Sequence, residues 1–305
     1  MPEGHSVHRI ALQFERDIVG HAVATSSPQG RFTEGAALLD GRSVLESTAV
    51  GKHLLLRFEG DATLHVHLGL YGAWDFLGHV SPLFDDGKAG SSIGAPRRRR
   101  AVRLSETEHE TDSDLEEFPP PPIGAVRVRI QTEETVADLR GPTACEVMDD
   151  SQVEALLARL GPDPAADDSD EARDRFVNRL RKTATPVGLV LMDQSVVSGI
   201  GNIYRAELLY RAGLDPHTPG KLVPLELARE LWADWALLLE DGIRTGMMIT
   251  RRGLTKTQRS AAVRSRAERN YVYKREGLPC RVCGTNVLLE EIGARKLYWC
   301  PVCQS

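Results

Sequence analysis

The chain has 305 residues, 41% hydrophobic and 27% charged, with a formal net charge of −5, and that length allows two or three domains with real cores. No apolar run approaches the ~20 residues that a membrane-spanning helix needs, and the first residues are mixed polar and charged rather than a signal-peptide core, so a cytoplasmic protein is expected. The negative sum would argue against a polyanionic partner if it were evenly spread, but residues 244–305 hold 13 Lys and Arg against 4 Asp and Glu, a net of +9, which leaves −14 on residues 1–243.

The chain opens Met1-Pro2-Glu3-Gly4. Removal of the initiator Met would make Pro2 a free secondary amine beside a carboxylate. An amine that attacks a sugar aldehyde carbon forms a Schiff base, and a secondary amine gives an iminium that stays cationic without holding a proton. The reference pKa of an α-amino group is about 7.7–8.0, so part of it is unprotonated near neutrality, whereas a lysine near about 10.4 would need strong depression. Many chains carry Pro after Met and make no use of it, so the terminus alone is only a candidate nucleophile.

Val7, Ile10, Ala11, Phe14 and Ile18 recur at helical spacing, which predicts a helix directly after the terminus. From residue 20 to 84, short apolar segments between turn residues predict β-strands, among them 43–45, 53–58 and 62–68. Between about residues 85 and 122 the composition changes to Gly and Ser, four arginines at 97–100, an acidic stretch over 106–117 and four prolines at 119–122. That segment has too little apolar surface to offset ordering entropy and is expected to be a disordered insertion. Its arginines could touch a polyanion or be neutralised by the acidic stretch. Strand alternation resumes at 125–130.

From about Ser151 the pattern is helical, over 153–160, 174–183, 186–192, 202–212 and 224–245. Val197-Ser198-Gly199-Ile200-Gly201-Asn202 is the notable join. Two glycines allow a tight turn and close approach to a ligand, and Asn202 begins the next helix, where its amide and nearby N–H groups can meet a phosphate. Helix capping is the alternative use of the same residues. The basic C-terminal quarter is either a phosphate-binding surface or a solvated charged face. Four of the five Cys form Cys280-x2-Cys283 and Cys300-x2-Cys303. Each pair can place two thiolates on one tetrahedral ion, and four thiolates close the shell, so a structural metal is expected. Disulfides are the alternative, disfavoured in a reducing compartment. Cys145 stands alone and reads as a buried or half-buried small residue.

Six stretches carry a resemblance that runs almost end to end: Pro2-Glu3-Gly4, Gly51-Lys52-His53, His67-Leu68-Gly69-Leu70-Tyr71-Gly72, the run 193–207 around Asn202, the run 271–277, and the run 294–304 beginning Ala294-Arg295. Together they resemble the formamidopyrimidine-DNA glycosylase / endonuclease VIII family of base-excision repair enzymes. Gly4 and Leu70-Tyr71 look more like the endonuclease VIII branch. The implied fold is α+β, with an N-terminal β-sandwich with flanking helices, a helical domain with a helix-two-turn-helix, and a C-terminal four-cysteine zinc finger. The corresponding domains are 1–142, 143–250 and 251–305, the last holding the lesion-facing loop and zinc finger, and the stretch 247–270 lies where family members vary that loop.

By the same resemblance the protein is a bifunctional glycosylase and abasic-site lyase that removes oxidised bases, pyrimidines rather than purines. Pro2 is the nucleophile at C1′ of the damaged nucleotide, Glu3 the adjacent proton donor and acceptor, and Lys52 a cation near the lesion. Asn202 and Arg295 are phosphate clamps, and Leu70 and Tyr71 fill the gap left in the duplex, with strand-end burial as their alternative. Cys280, Cys283, Cys300 and Cys303 hold one structural zinc ion, and no catalytic metal or organic cofactor is expected. The partner is damaged double-stranded or single-stranded DNA, without a membrane, and the chain is expected to act as a monomer, associated with the nucleoid if bacterial. Two residues depart from the pattern: Ser6 stands where the formamidopyrimidine branch has an acid, and His5 where a proline is usual. They leave open a non-catalytic damaged-DNA binder, and the Cys pairs alone leave open a zinc-ribbon RNA or protein adaptor.

Overall fold

Val7, Ile10, Ala11 and Phe14 fall on one stripe of helix α1 (Gly4–Asp17) and are buried, as their spacing predicts. A computed structural model describes residues 2–84, 100–105, 109–112 and 117–305. It divides into two units, Met1–Ala158 and Arg159–Ser305.

In the first unit α1 is followed by β1 (Ala24–Ser26), α2 (Thr33–Leu39), β2 (Val44–Val50), β3 (His53–Phe58), β4 (Ala62–His67), β5 (Ala73–Gly78), β6 (Arg100–Leu104), β7 (His109–Asp112), β8 (Val126–Gln131), β9 (Thr135–Arg140), β10 (Ala144–Met148) and α3 (Asp150–Arg159). The strands form two antiparallel sheets, ordered β10-β4-β3-β2 and β1-β8-β9-β5-β6-β7. One core joins them: Leu54, Leu56, Leu64 and Val66 from the first sheet, Trp74, Phe76, Ile130 and Leu139 from the second, and Ile10 and Phe14 from α1. Phe14 meets Trp74 and Phe76 edge-on at 4.8 and 5.0 Å. This is the expected sandwich with flanking helices.

The expectation of disorder fails where strands are described, while residues 85–99, 106–108 and 113–116 lie outside the described residues. Within 85–122, β6 pairs with β5 and β7 pairs with β6, extending the six-stranded sheet. Val102 and Leu104 alternate with Ala101 and Arg103 and are buried, so the arginine-rich composition hid a strand with one apolar face. Pro120 also has a partner, its carbonyl accepting from Arg129 Nη1 at 2.7 Å. Arginines 97–99 and most of the acidic stretch lie outside the described residues.

The second unit is helical and then a small hairpin: α4 (Asp170–Arg181), α5 (Val187–Val190), α6 (Asn202–Arg211), α7 (Leu225–Thr245), α8 (Lys256–Arg264), β11 (Leu288–Ile292) and β12 (Arg295–Trp299). Ser169 caps α4, its hydroxyl accepting from Ala172 N at 3.1 Å, and Gly246 ends α7 in the left-handed region at φ 68°. Phe176, Leu180, Tyr204, Trp232, Trp235 and Leu239 form the helical core. A smaller core of Ala206, Tyr210, Val272, Val287 and Tyr298 surrounds the buried Cys280 and Cys300. The expected lesion-facing loop contains a helix: Thr255 and Gln258 form a reciprocal capping box that starts α8.

Candidate active site and nucleic-acid interface

Pro2 and Glu3 are buried and lead straight into α1, with Glu3 as the residue before its first turn and its carbonyl accepting from Ser6 N at 3.0 Å. A carboxylate at that position is favoured by the helix dipole. Helix α1 runs antiparallel to β2. Just past its C-terminal end Gly20 N donates to Val44 O at 2.8 Å, and at mid-helix Ala11 O accepts from Ser47 Oγ at 2.9 Å. From Ala11 back to Gly4 is about 10 Å of helix, and from Ser47 on to Val50 about 10 Å of strand. The chain terminus and the turn joining β2 to β3 therefore lie at the same end of the first unit. That turn is Gly51-Lys52, with Gly51 at φ 60° and Val50 facing His53, the geometry of a two-residue II′ hairpin. Lys52 is only 8% exposed.

The departures at His5 and Ser6 form an uncharged pair, Ser6 Oγ standing 3.2 Å from His5 Nε2. Burial, then the charges of Arg9 and His8, pull His5 down to about 3. The first turn of α1 thus carries a neutral imidazole where one branch of the resemblance places a carboxylate nearby.

Behind Lys52 lies a chain that sequence reading missed. His53 Nδ1 is 2.8 Å from His65 Nε2, and His65 Nδ1 is 3.0 Å from Glu146 Oε1. The carboxylate fixes the tautomer of His65, which in turn orients His53. His67 stacks obliquely on His53 at 5.0 Å, and burial, then Lys52 and His65, lower its pKa. The alternation of His65 and His67 in β4 was a visible signal that both share a face. The partnership with Glu146 depends on β10 pairing with β4, which no local pattern reveals.

Between β4 and β5 the chain makes a tight turn in which Gly72 N donates to Leu68 O at 3.0 Å. Gly69 sits at φ 66° with Thr143 against it, and a side chain at Gly72 would strike the Leu68 carbonyl. The turn leaves Leu70 46% and Tyr71 85% exposed, so strand-end burial is not what these two do.

In the second unit Gly199, at φ 92°, lets its N–H reach Gln194 Oε1 at 3.1 Å, and Gly201 precedes α6. Asn202 at the start of α6 donates from Nδ2 to Lys296 O at 2.8 Å, and the buried Arg205 donates to the same carbonyl at 2.9 Å. Asn202 is thereby joined to β12, the strand that Arg295 begins. Arg295 and Lys296 are exposed, and no carboxylate lies within 4.0 Å of either among the described residues. Much of the remaining basic surplus is paired internally: Arg251 and Arg281 with Glu268, Arg252 with Asp234, Arg259 with Asp241.

The four C-terminal thiols converge, their Sγ atoms all within 4.8 Å of one another. Cys280 and Cys303 are 3.8 Å apart, Cys283 and Cys300 3.4 Å. A tetrahedron with metal–sulfur distances of about 2.3 Å has edges of about 3.8 Å, so the donor set fits a zinc ion. Tyr210 Oη lies 3.1 Å from Cys280 Sγ, where a phenol hydroxyl would support a thiolate ligand. Glu207, missed from sequence and fully buried, accepts from the backbone N–H groups of Tyr271, Val272 and Tyr273 at 2.8, 2.8 and 2.9 Å and from the Thr250 hydroxyl. It fixes the segment that enters the finger.

Three family descriptions match in sequence: the Formamidopyrimidine-DNA glycosylase N-terminal domain over residues 1–144, the Formamidopyrimidine-DNA glycosylase H2TH domain over 160–253, and the zinc finger found in FPG and IleRS over 277–305. "Endonuclease 8 1" of Mycobacterium tuberculosis is 38% identical over 305 residues, covering 100% of both chains. The chain belongs to the formamidopyrimidine-DNA glycosylase / endonuclease VIII family. As a member it is a zinc-finger DNA-repair enzyme, a DNA glycosylase with abasic-site lyase activity. A "Formamidopyrimidine-DNA glycosylase" of Bordetella petrii is 34% identical, covering 88% of this chain and 84% of its own. Among solved structures, MutM (Fpg) of Thermus thermophilus matches with TM-score 0.66 at 25% identity, covering 99% of this chain and 98% of that one. The Lactococcus lactis Fpg in complex with a DNA containing N7-benzyl-Fapy-dG shares the fold with TM-score 0.71 at 20% identity, over 99% of each chain. No helix among the described residues is long and apolar enough to cross a membrane.

Proposed function

We propose that the enzyme removes oxidised bases, pyrimidines in preference, from damaged DNA through a Schiff base on Pro2, and cleaves the strand by β,δ-elimination. The observation that carries the reading is the convergence of Pro2-Glu3 and Lys52 at one end of the α1/β2 layer. In this reading the Pro2 amine attacks C1′ as the base departs. Glu3 gives a proton to the opening sugar ring and later takes protons back. The iminium acidifies C2′, whose proton is lost as the 3′ phosphate leaves; the 5′ phosphate follows, and water releases the sugar fragment from Pro2. Lys52 stabilises negative charge at the lesion. Asn202 and Arg295 take phosphates flanking the lesion, for which the planar fork of Arg295 is suited. Leu70 and Tyr71 occupy the gap in the stack, and their exposure supports this. The catalytic domain takes in 143–158 beyond the expected 1–142, because β10 pairs with β4 in its sheet; the DNA-binding domain then runs to 250, and 251–305 form the lesion-facing segment and finger. Cys280, Cys283, Cys300 and Cys303 hold one structural zinc ion. The enzyme acts as a monomer in the compartment that holds the chromosome.

Borohydride trapping on a duplex with an abasic site tests the nucleophile. Met-processed protein should give a covalent adduct, and protein with a blocked terminus should bind without one. An undiminished adduct after Pro2→Ala would remove Pro2 from this role. Turnover on thymine glycol, dihydrouracil and 8-oxoguanine duplexes, compared side by side, tests the pyrimidine preference; faster release of 8-oxoguanine would reverse it.

A further inference from the structure

His217 lies in the loop between α6 and α7, and both of its ring nitrogens meet carboxylates. Nδ1 is 2.7 Å from Asp215 Oδ1, and Nε2 is 2.7 Å from Glu290 Oε1. Asp215 belongs to the same loop, whereas Glu290 belongs to β11, the partner strand of the hairpin that Arg295 begins on the other side. The ring also meets Trp299 of β12 edge-on, centroids 5.1 Å apart. A neutral imidazole has one donor nitrogen, and an ionised carboxylate offers only lone pairs. Nδ1 is hydrogen-bonded to Asp215, the Glu290 oxygen at Nε2 makes an ion-pair contact outside hydrogen-bond geometry, and two carboxylates at 2.7 Å together favour the charged ring. The arrangement suits an imidazolium.

We propose that His217, as a cation bridging Asp215 and Glu290, is a positioning residue that fastens the β11–β12 hairpin to the loop after α6 and so holds Arg295 ready for a phosphate of the damaged strand. The inference rests on the phosphate role proposed for Arg295. Asn202 and Arg205 fix the hairpin at Lys296 O, and His217 supplies a second anchor on the opposite strand. Two anchors on two strands fix orientation as well as position, which one anchor does not.

The charges facing His217 are the two carboxylates, Asp215 from its own loop and Glu290 from β11, while β12 presents the indole of Trp299. Burial opposes the charged ring, but the Asp215 hydrogen bond and the field of both carboxylates outweigh it, and the ring titrates above the usual histidine range. The sign follows. The anchor is fully present below the ordinary value of about 6.5 and is lost as pH rises through the raised folded value.

The experiment compares wild type, His217→Gln and Arg295→Ala, each checked for equal zinc content. Two quantities are followed from below the ordinary histidine value of about 6.5 upward in pH: amide-hydrogen exchange in the hairpin, corrected for intrinsic rates, and affinity for a duplex carrying a tetrahydrofuran abasic analogue. His217→Gln should exchange faster at low pH and bind about twofold to fivefold more weakly there, the size of a partly exposed ion pair, converging on wild type at high pH. Hairpin protection unchanged by His217→Gln overturns the anchor. Faster exchange with wild-type affinity, while Arg295→Ala binds weakly, overturns the positioning of Arg295 by His217, whereas wild-type binding by Arg295→Ala overturns the phosphate role given to Arg295, so the failures are separable.

Discussion

Tyr71 is 85% exposed on a turn whose glycines leave no room for other residues. A side chain so exposed in the free protein contributes little to its stability, which leaves it available for the gap-filling role proposed above. Tyr71→Ala should lower single-turnover excision of a lesion duplex by about tenfold to a hundredfold, in line with about 1–3 kcal/mol for an aromatic stacked on a base. Its thermal midpoint should stay unchanged. Equal excision by the variant would remove the gap-filling role. At this scale the sequence was informative where the pattern is written in residue type and spacing alone: apolar residues placing a helix directly after Pro2-Glu3, or four Cys in two knuckles that converge. It was silent where a residue depends on a distant partner. Glu207 looks like any helical glutamate until residues 271–273 fold over it, and His65 like any strand histidine until β10 brings Glu146 alongside.

Glu207 also sets what can be expected of whole elements. It joins α6 to the entry of the finger by accepting three backbone N–H groups, and Glu207→Gln would turn one acceptor into a donor facing them. Hydrogen bonds to a charged group are worth about 1.5–3 kcal/mol each, and their loss is partial here, so a destabilisation of about 2–4 kcal/mol is expected in urea denaturation of the zinc-loaded protein. A midpoint within error of wild type would show that the carboxylate is not what holds the segment. Periodicity located α1, β3, β4, α4 and α7 because each has a continuous apolar face. It missed α2, seven residues with Gly35 tucked under the Phe32 ring, because so short a helix shows barely two turns of pattern. It missed β6 because arginines flank its two buried residues, and α8 because little of that helix is buried and its start is set by the Thr255 capping box.

For the molecule as a whole, the separate cores of the two units bear on metal removal. The finger core is small, with Cys280 and Cys300 inside it, so chelation should melt that region while Met1–Ala158 keeps the transition of its own core. Calorimetry before and after chelation distinguishes the outcomes: an unshifted profile would count against a structural ion. The pairing of Arg251, Arg252, Arg259 and Arg281 with Glu268, Asp234 and Asp241 reaches further than stability. Binding to duplex DNA releases about 0.9 of a condensed counterion for each phosphate a cation neutralises. An arginine already committed to a carboxylate releases none. The salt dependence of binding should therefore count exposed cations such as Lys296 and Lys256, not the net charge of the segment. Lys296→Ala should flatten the slope of log affinity against log salt by about 0.9, whereas Arg252→Ala should leave it unchanged.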